Sequence, residues 1–90
     1  MKEDSKVTIG QVVKSKAGRD KGRLFIVIEV VDDEFVYIVD GDLRKLDKPK
    51  LKKVKHLVVY STVFTEVGYK LDNKIKISNE YIRKLLEPIK

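Results

Sequence analysis

The segment from Leu24 to Val31, LFIVIEVV, constrains the fold most, because seven of its eight residues are apolar and most are β-branched. A helix is the alternative interpretation, but the short length and the turn residues on both sides favour a buried strand. Such a strand is apolar on both faces, whereas an antiparallel sheet with one face in water alternates apolar and polar residues. We therefore expect a second layer over the sheet, supplied by apolar residues near the C-terminus: Tyr81, Ile82, Leu85 and Leu86.

Shorter strands and turns surround this segment. Val12 and Val13 indicate a strand before it, and Phe35 to Val39 indicates a hairpin partner after the polar turn Asp32-Asp33-Glu34. Leu57 to Tyr60 reads as a further short strand. Several short strands separated by glycine turns are typical of a small barrel.

One or two helices are predicted in the C-terminal third. Apolar residues follow helical spacing between Ser61 and Leu71, and Ser61 or Thr62 is the expected cap. Ser78 is the expected N-cap of a second helix, which Pro88 ends. The fold class is therefore mainly β, a small barrel with one or two C-terminal helices.

A turn that carries five cations leads into the apolar strand. Gly18 and Gly22 lie in this turn, and Gly41 lies in a second one; glycine between charged neighbours suggests a positive φ or a close approach. The five cations, here called the basic tip, are Lys14, Lys16, Arg19, Lys21 and Arg23. Cations next to a nucleic-acid backbone displace its condensed counterions, so phosphate is the expected ligand, although Asp20 reduces the local charge. A solvated loop without a ligand is the alternative.

The positive charge is concentrated in the middle of the chain. Residues 1–40 carry a net charge of −1, residues 41–57 carry +5 and residues 58–90 carry +2. The cations of the middle region, here called the basic segment, are Arg44, Lys45, Lys48, Lys50, Lys52, Lys53 and Lys55. Lysine suits non-specific phosphate contact, whereas bidentate reading of bases favours arginine. A loop that only keeps the protein soluble is the alternative.

The basic segment, residues 43–55, is predicted to have irregular structure. Pro49 argues against a long central strand here. Four apolar residues are expected to anchor the segment to the body of the protein: Leu43, Leu46, Leu51 and Val54.

The run from Gln11 to Arg23, QVVKSKAGRDKGR, resembles the KOW motif of several ribosomal proteins and transcription elongation factors. Phe35 to Asp42 and Lys55 to Leu57 follow at a spacing that is similar to KOW proteins of archaeal and eukaryotic large ribosomal subunits and to their small bacterial relatives. The resemblance covers residues 6–59. It implies an SH3-like barrel whose loop at the basic tip contacts RNA backbone.

No set of residues supports catalysis. There is no cysteine, and His56 is the single histidine, without further ligands for zinc or a nucleophile beside it. No glycine motif for a bound nucleotide occurs either. We expect no enzyme activity, no catalytic residue, no metal site and no cofactor. Tyr60 flanks the basic segment and ends a strand, which makes it the candidate for stacking on a base. Most of the aromatic residues are expected in the core.

These expectations combine into one prediction. Residues 1–6 form a frayed N-terminus, 7–60 form the KOW SH3-like barrel including the basic segment at 43–55, and 61–90 form a helical segment packed on it. The predicted function is electrostatic binding of structured RNA, in particular ribosomal RNA, by a protein that is monomeric when free. The alternatives are a module that docks on a ribosomal or transcription-machinery protein and a structural ribosome component. With no signal peptide and no membrane span in the sequence, the expected location is the cytoplasm.

Overall fold

The computed structural model describes residues 7–90, which form a mainly β fold with two C-terminal helices. The strands are β1 (Gln11–Ser15), β2 (Leu24–Val30), β3 (Phe35–Val39), β4 (Lys50–Lys53) and β5 (Leu57–Val63). The helices are α1 (Thr65–Asp72) and α2 (Asn79–Leu86), and short 3₁₀ turns cover Val54–His56 and Glu87–Ile89. The frayed N-terminus expected for residues 1–6 lies outside the described residues.

The five strands form one antiparallel sheet in the order β4-β3-β2-β1-β5. β2 is the central strand, which accounts for its apolar residues on both faces. The predicted mainly β class is confirmed. Within residues 7–90, however, hydrogen bonds do not close the sheet into a barrel, because β4 and β5 are its two edges and each pairs on one side only.

Hydrophobic clusters lie on both sides of the sheet. One cluster consists of strand residues: Val13, Phe25, Val27, Val36, Ile38 and Leu57. The other joins the sheet to the helices: Val12, Leu24, Ile26, Val39, Val67, Ile82 and Leu86. Ile82 and Leu86 are fully buried, and burying such a side chain is worth about 1.5–3 kcal/mol. The helices are therefore the layer that covers the second face of β2.

The ends of α2 follow local sequence signals. The Tyr81 backbone N–H donates to Ser78 Oγ at 3.1 Å, so the predicted N-cap is confirmed. At the other end Pro88 lies in the 3₁₀ turn that follows the helix. Neither α1 nor α2, nor any other helix in residues 7–90, has the length and apolar character needed to cross a membrane.

The start of α1 differs from the prediction. Ser61 and Thr62 do not cap a helix but lie in β5, where Gln11 pairs with Val63, and α1 begins at Thr65 without a side-chain cap. The helical spacing of the apolar residues was misleading here, because pairing with β1 overrides the weak local preference for a helix.

The basic segment is more regular than predicted. Its second half forms β4, which begins directly after Pro49 at the edge of the sheet, where a proline is tolerated. Two of the four expected anchors are wrong, because Leu43 and Leu51 are 53% and 44% exposed. Leu46 and Val54 do pack against the two hydrophobic clusters.

Candidate nucleic-acid interface

Backbone hydrogen bonds hold the turn of the basic tip in shape. The Gly22 N–H donates to the Ser15 carbonyl oxygen at 2.7 Å, and the Ser15 N–H donates to the Arg23 carbonyl oxygen at 3.0 Å. The Ser15 hydroxyl donates to the Ala17 carbonyl oxygen at 2.9 Å. Gly18 and Gly22 have φ angles of 81° and 89°. The cations of the tip therefore extend from a loop of defined conformation.

Asp20, which was expected to weaken the basic tip, connects the tip to the basic segment. Its side chain is only 2% exposed and accepts two hydrogen bonds from Arg44, Nε to Oδ2 at 3.1 Å and Nη2 to Oδ1 at 3.4 Å. A buried carboxylate needs such a partner, and the paired geometry matches the planar guanidinium. Arg44 therefore neutralises Asp20 and ties the two regions together.

A second ion pair lies beside the first. Arg23 donates through Nε and Nη2 to Asp40 Oδ2 at 3.1 and 3.0 Å, and Nη2 also reaches Asp42 Oδ2 at 3.3 Å. Asp40 Oδ1 accepts the backbone N–H groups of Asp42 and Arg44 at 3.0 and 2.8 Å. Burial alone would raise the pKa of Asp40, but these donors hold the pKa below its ordinary value. The hydrogen bond to Asp40 in turn raises the pKa of Arg23.

Further contacts join β4 and the following 3₁₀ turn to the tip. Lys52 Nζ donates to the Ala17 carbonyl oxygen at 3.1 Å, and the Lys16 backbone N–H donates to the His56 carbonyl oxygen at 3.0 Å. Together with the two ion pairs, these contacts place the loop of the basic tip next to the basic segment.

Helix α2 is hydrogen-bonded to the chain around the start of the basic segment. The Leu46 backbone N–H donates to Asn79 Oδ1 at 2.8 Å, and Arg83 Nη1 donates to the Gly41 carbonyl oxygen at 2.6 Å. The sequence analysis did not assign roles to Asn79 or Arg83. Their partners are more than 30 residues away, and no local pattern signals such a contact. The helix therefore both covers the core and positions the start of the basic segment.

Most of the cations in the two regions form no ion pair with another residue of the described part of the chain. Among residues 7–90, ion pairs involve Arg23, Arg44 and Lys84 as the cationic partners. Lys53 Nζ lies 5.8 Å from the centre of the Phe35 ring. The ten cations of the tip and the segment that have no ion pair to a described residue are Lys14, Lys16, Arg19, Lys21, Lys45, Lys48, Lys50, Lys52, Lys53 and Lys55.

The remaining polar candidates have structural surroundings. Asp32 Oδ1 accepts the backbone N–H groups of Glu34 and Phe35 at 2.8 and 2.9 Å, so this carboxylate stabilises the turn before β3. His56 is half-buried in the 3₁₀ turn before β5. Within the described part of the chain, no three histidine or acidic side chains are grouped to hold a metal ion.

Comparison with known proteins gives one distant relative. No family model matches this chain. The chain is similar to a protein of Bacillus subtilis (strain 168) named "Putative ribosome-binding protein YbzG", with 28% identity over 71 residues. The similarity spans 79% of this chain and 96% of the Bacillus protein. The alignment therefore extends over most of both chains.

Proposed function

We propose that this protein binds structured ribosomal RNA through the phosphate backbone. The observation that carries the proposal is the set of contacts that join the basic tip to the basic segment. Two arginines neutralise the buried carboxylates Asp20 and Asp40 between these regions, and ten other cations there have no ion pair to a residue in 7–90. Clustered cations on one face are the electrostatic signature of a nucleic-acid interface.

Two comparisons support a ribosomal target. The similar Bacillus subtilis protein is named for ribosome binding. The motif at residues 11–23 resembles the KOW motif, whose loop in related ribosomal proteins contacts RNA backbone. The basic tip is formed by this part of the chain.

We also propose that the sheet is a curved relative of the SH3-like barrel. In a flat sheet, β4 and β5 would be four strand spacings apart, which is roughly 19 Å. The three residues Val54–His56 join these two strands, and the linkage from Lys53 to Leu57 spans at most about 14 Å even when extended. The sheet must therefore bend so that β4 and β5 approach each other, as barrel formation requires. The cluster around Phe25 and Ile38 lies on the strands of this sheet.

The mechanism follows from the kind of cations present. Nine of the ten cations that have no ion pair to a residue in 7–90 are lysines, and Arg19 is the tenth. Lysine acts as a point charge rather than as a bidentate reader of bases. A-form RNA presents phosphates, shape and 2′-hydroxyl groups more readily than base edges. We therefore expect binding with weak base specificity and strong dependence on salt.

The test measures the affinity for a labelled ribosomal RNA hairpin by fluorescence anisotropy over a range of salt concentrations. With about five phosphates contacted, the slope of log affinity against log salt is expected near −3 to −5. Reversing charge in the tip (Lys16→Glu with Lys21→Glu) or in the segment (Lys45→Glu with Lys48→Glu) should weaken binding and reduce the slope.

The matched control is Lys74→Glu with Lys76→Glu, which changes the net charge equally between α1 and α2. All three double variants alter exposed side chains, so circular dichroism should show folded proteins. A flat salt dependence, or an equal loss of affinity in the control, would refute the backbone-contact mechanism.

Docking on a protein is the second candidate function. Within residues 7–90, β5 is an edge strand that pairs on one side only, and Val58 and Val59 on it are 44% and 38% exposed. Exposed edges of this kind pair with strands of other proteins. Co-sedimentation with purified bacterial ribosomes separates the candidates. Loss in the Val58→Lys variant combined with full retention in both charge-reversed variants would favour protein docking.

A further inference from the structure

A cleft beside the basic tip combines an aromatic ring, apolar walls and cations. It lies where β1, β5, the start of β2 and the C-terminal 3₁₀ turn meet, and its volume is about 380 Å³. Tyr60, Leu24 and Ile89 contribute the aromatic and apolar lining, and the cations at the cleft are Lys14, Arg23 and Lys90. We propose that this cleft binds one unpaired nucleotide of the RNA, with the base stacked on Tyr60 and the phosphate held by the cations. The inference rests on the proposed function and adds a specific ligand to it.

Tyr60 is held by packing of its side chain and by a hydrogen bond to its backbone. Tyr60 is half-buried against the cluster between the sheet and the helices. Its carbonyl oxygen accepts a hydrogen bond from Gln11 Nε2 at 2.9 Å. A ring that is already fixed loses little freedom when a base stacks on it, which favours binding.

An irregularity in the sheet places Tyr60 at the cleft. Gln11 pairs with Val63, but Val13 pairs with Val59, so β5 carries two extra residues between these pairs. Tyr60 lies in this extra stretch. Such bulges turn side chains out of the regular alternation of a strand and are common beside binding sites.

The charges of the cleft suit an anion. Asp40 lines the cleft too, but both of its oxygens are occupied, Oδ2 by Arg23 and Oδ1 by the backbone N–H groups of Asp42 and Arg44. Arg23 is paired with both Asp40 and Asp42, and these three side chains together carry one negative charge. Lys14 and Lys90 add two positive charges, which leaves a net charge of +1. Arg23 Nη1 makes no hydrogen bond to a residue in 7–90, which leaves a directed donor for a phosphate oxygen.

The volume of the cleft is suited to a single nucleotide. Pockets for small molecules have volumes of about 300–1,000 Å³, and this cleft is at the lower end of that range. The stacking surface is apolar and makes no base-edge contacts, so any unpaired base is accepted. The RNA target is therefore expected to present a bulged or looped-out nucleotide next to a paired stem.

The first test compares two RNA hairpins that differ by one bulged nucleotide. Stacking of a base on an aromatic side chain should make the parent protein bind the bulged hairpin roughly 5- to 150-fold more tightly. The Tyr60→Leu variant should lose this preference but keep its affinity for the fully paired hairpin, and Tyr60→Phe should keep the preference. Tyr69→Leu is the matched control, because Tyr69 is 64% exposed on α1 and does not line the cleft.

The second test does not depend on RNA binding. Adenosine 5′-monophosphate is titrated into ¹⁵N-labelled protein, with inorganic phosphate in parallel. We expect amide shifts centred on Lys14, Tyr60 and Ile89 with the nucleotide, much smaller shifts with phosphate, and loss of the nucleotide response in Tyr60→Leu.

The outcomes separate the two proposals. If the parent does not bind the paired hairpin, the proposed function is wrong, and the nucleotide titration still decides whether the cleft is a nucleotide site. If the paired hairpin is bound but Tyr60→Leu retains the preference for the bulge, or nucleotide shifts occur away from the cleft, the cleft inference is wrong.

Discussion

Replacing Gly41 with alanine tests whether α2 supports the basic segment as closely as the structure indicates. Gly41 has a φ of 79°, and a side chain in this region costs about 1–2 kcal/mol. An added Cβ would also overlap the Asn79 carbonyl oxygen and lie 3.0 Å from Arg83 Cγ. Because the overlap is with backbone of α2, we expect a further cost of about 1–3 kcal/mol.

Gly22→Ala is the matched control for this change. Gly22 has a φ of 89°, but an added Cβ would meet nothing within 4 Å, so only the backbone cost of about 1–2 kcal/mol applies. Thermal unfolding followed by circular dichroism measures both variants, and each kcal/mol corresponds to roughly 4–8 °C in a domain of this size. Equal melting temperatures for the two variants would refute the close packing of α2 on the turn at Gly41.

Three other changes probe the core, the buried carboxylate and the helix cap. Ile82→Ala should lower the free energy of unfolding by about 2–5 kcal/mol, because Ile82 is fully buried between α2 and the sheet, and a melting temperature equal to that of the parent would show that α2 does not cover the core. The pKa of Asp40 is lowered from 3.8, so its contribution to stability is present above that pH and is lost as the pH falls through the folded-state pKa. Urea titrations should therefore show that the free energy of unfolding falls more steeply with acid in the parent than in Asp40→Asn. Parallel pH curves for the two proteins would contradict this. Ser78→Ala should cost about 0.5–2 kcal/mol through loss of the cap, and an unchanged midpoint of urea unfolding would count against it.

The elements with strong local signals were predictable from the sequence. The apolar run of β2, the hairpin partner Phe35–Val39 and the Ser78 cap depend on neighbours in the chain, and the structure has all three. The apolar character of both faces of β2 also required a covering layer, which the structure supplies with Ile82 and Leu86.

The features that the sequence did not reveal depend on distant partners. Ser61 and Thr62 have residue types that suit a helix cap, but pairing with β1 keeps them in β5. Asp20 looked like a charge that weakens the basic tip, because its partner Arg44 lies 24 residues away.

In the candidate site, too, some features are visible in the sequence and others depend on partners that are distant in the chain. The basic tip and the basic segment are visible in the sequence as runs of cations, but the contacts that join them require the folded sheet. The two arginines could not be distinguished from the lysines by charge alone. Only the planar guanidinium, which can pair with a carboxylate through two nitrogens, explains why arginine occupies positions 23 and 44.

The most direct test of the central claim is lysine footprinting of the ribosome-bound protein. The free protein and its complex with purified bacterial ribosomes are acylated briefly, and the modification of each lysine is measured by mass spectrometry. If the basic tip and the basic segment both contact RNA, binding should lower the reactivity of Lys16, Lys21, Lys45 and Lys48 together. Lys74 and Lys76 should react as in the free protein. Protection confined to Lys74 and Lys76, with Lys16, Lys21, Lys45 and Lys48 still reactive, would contradict the account.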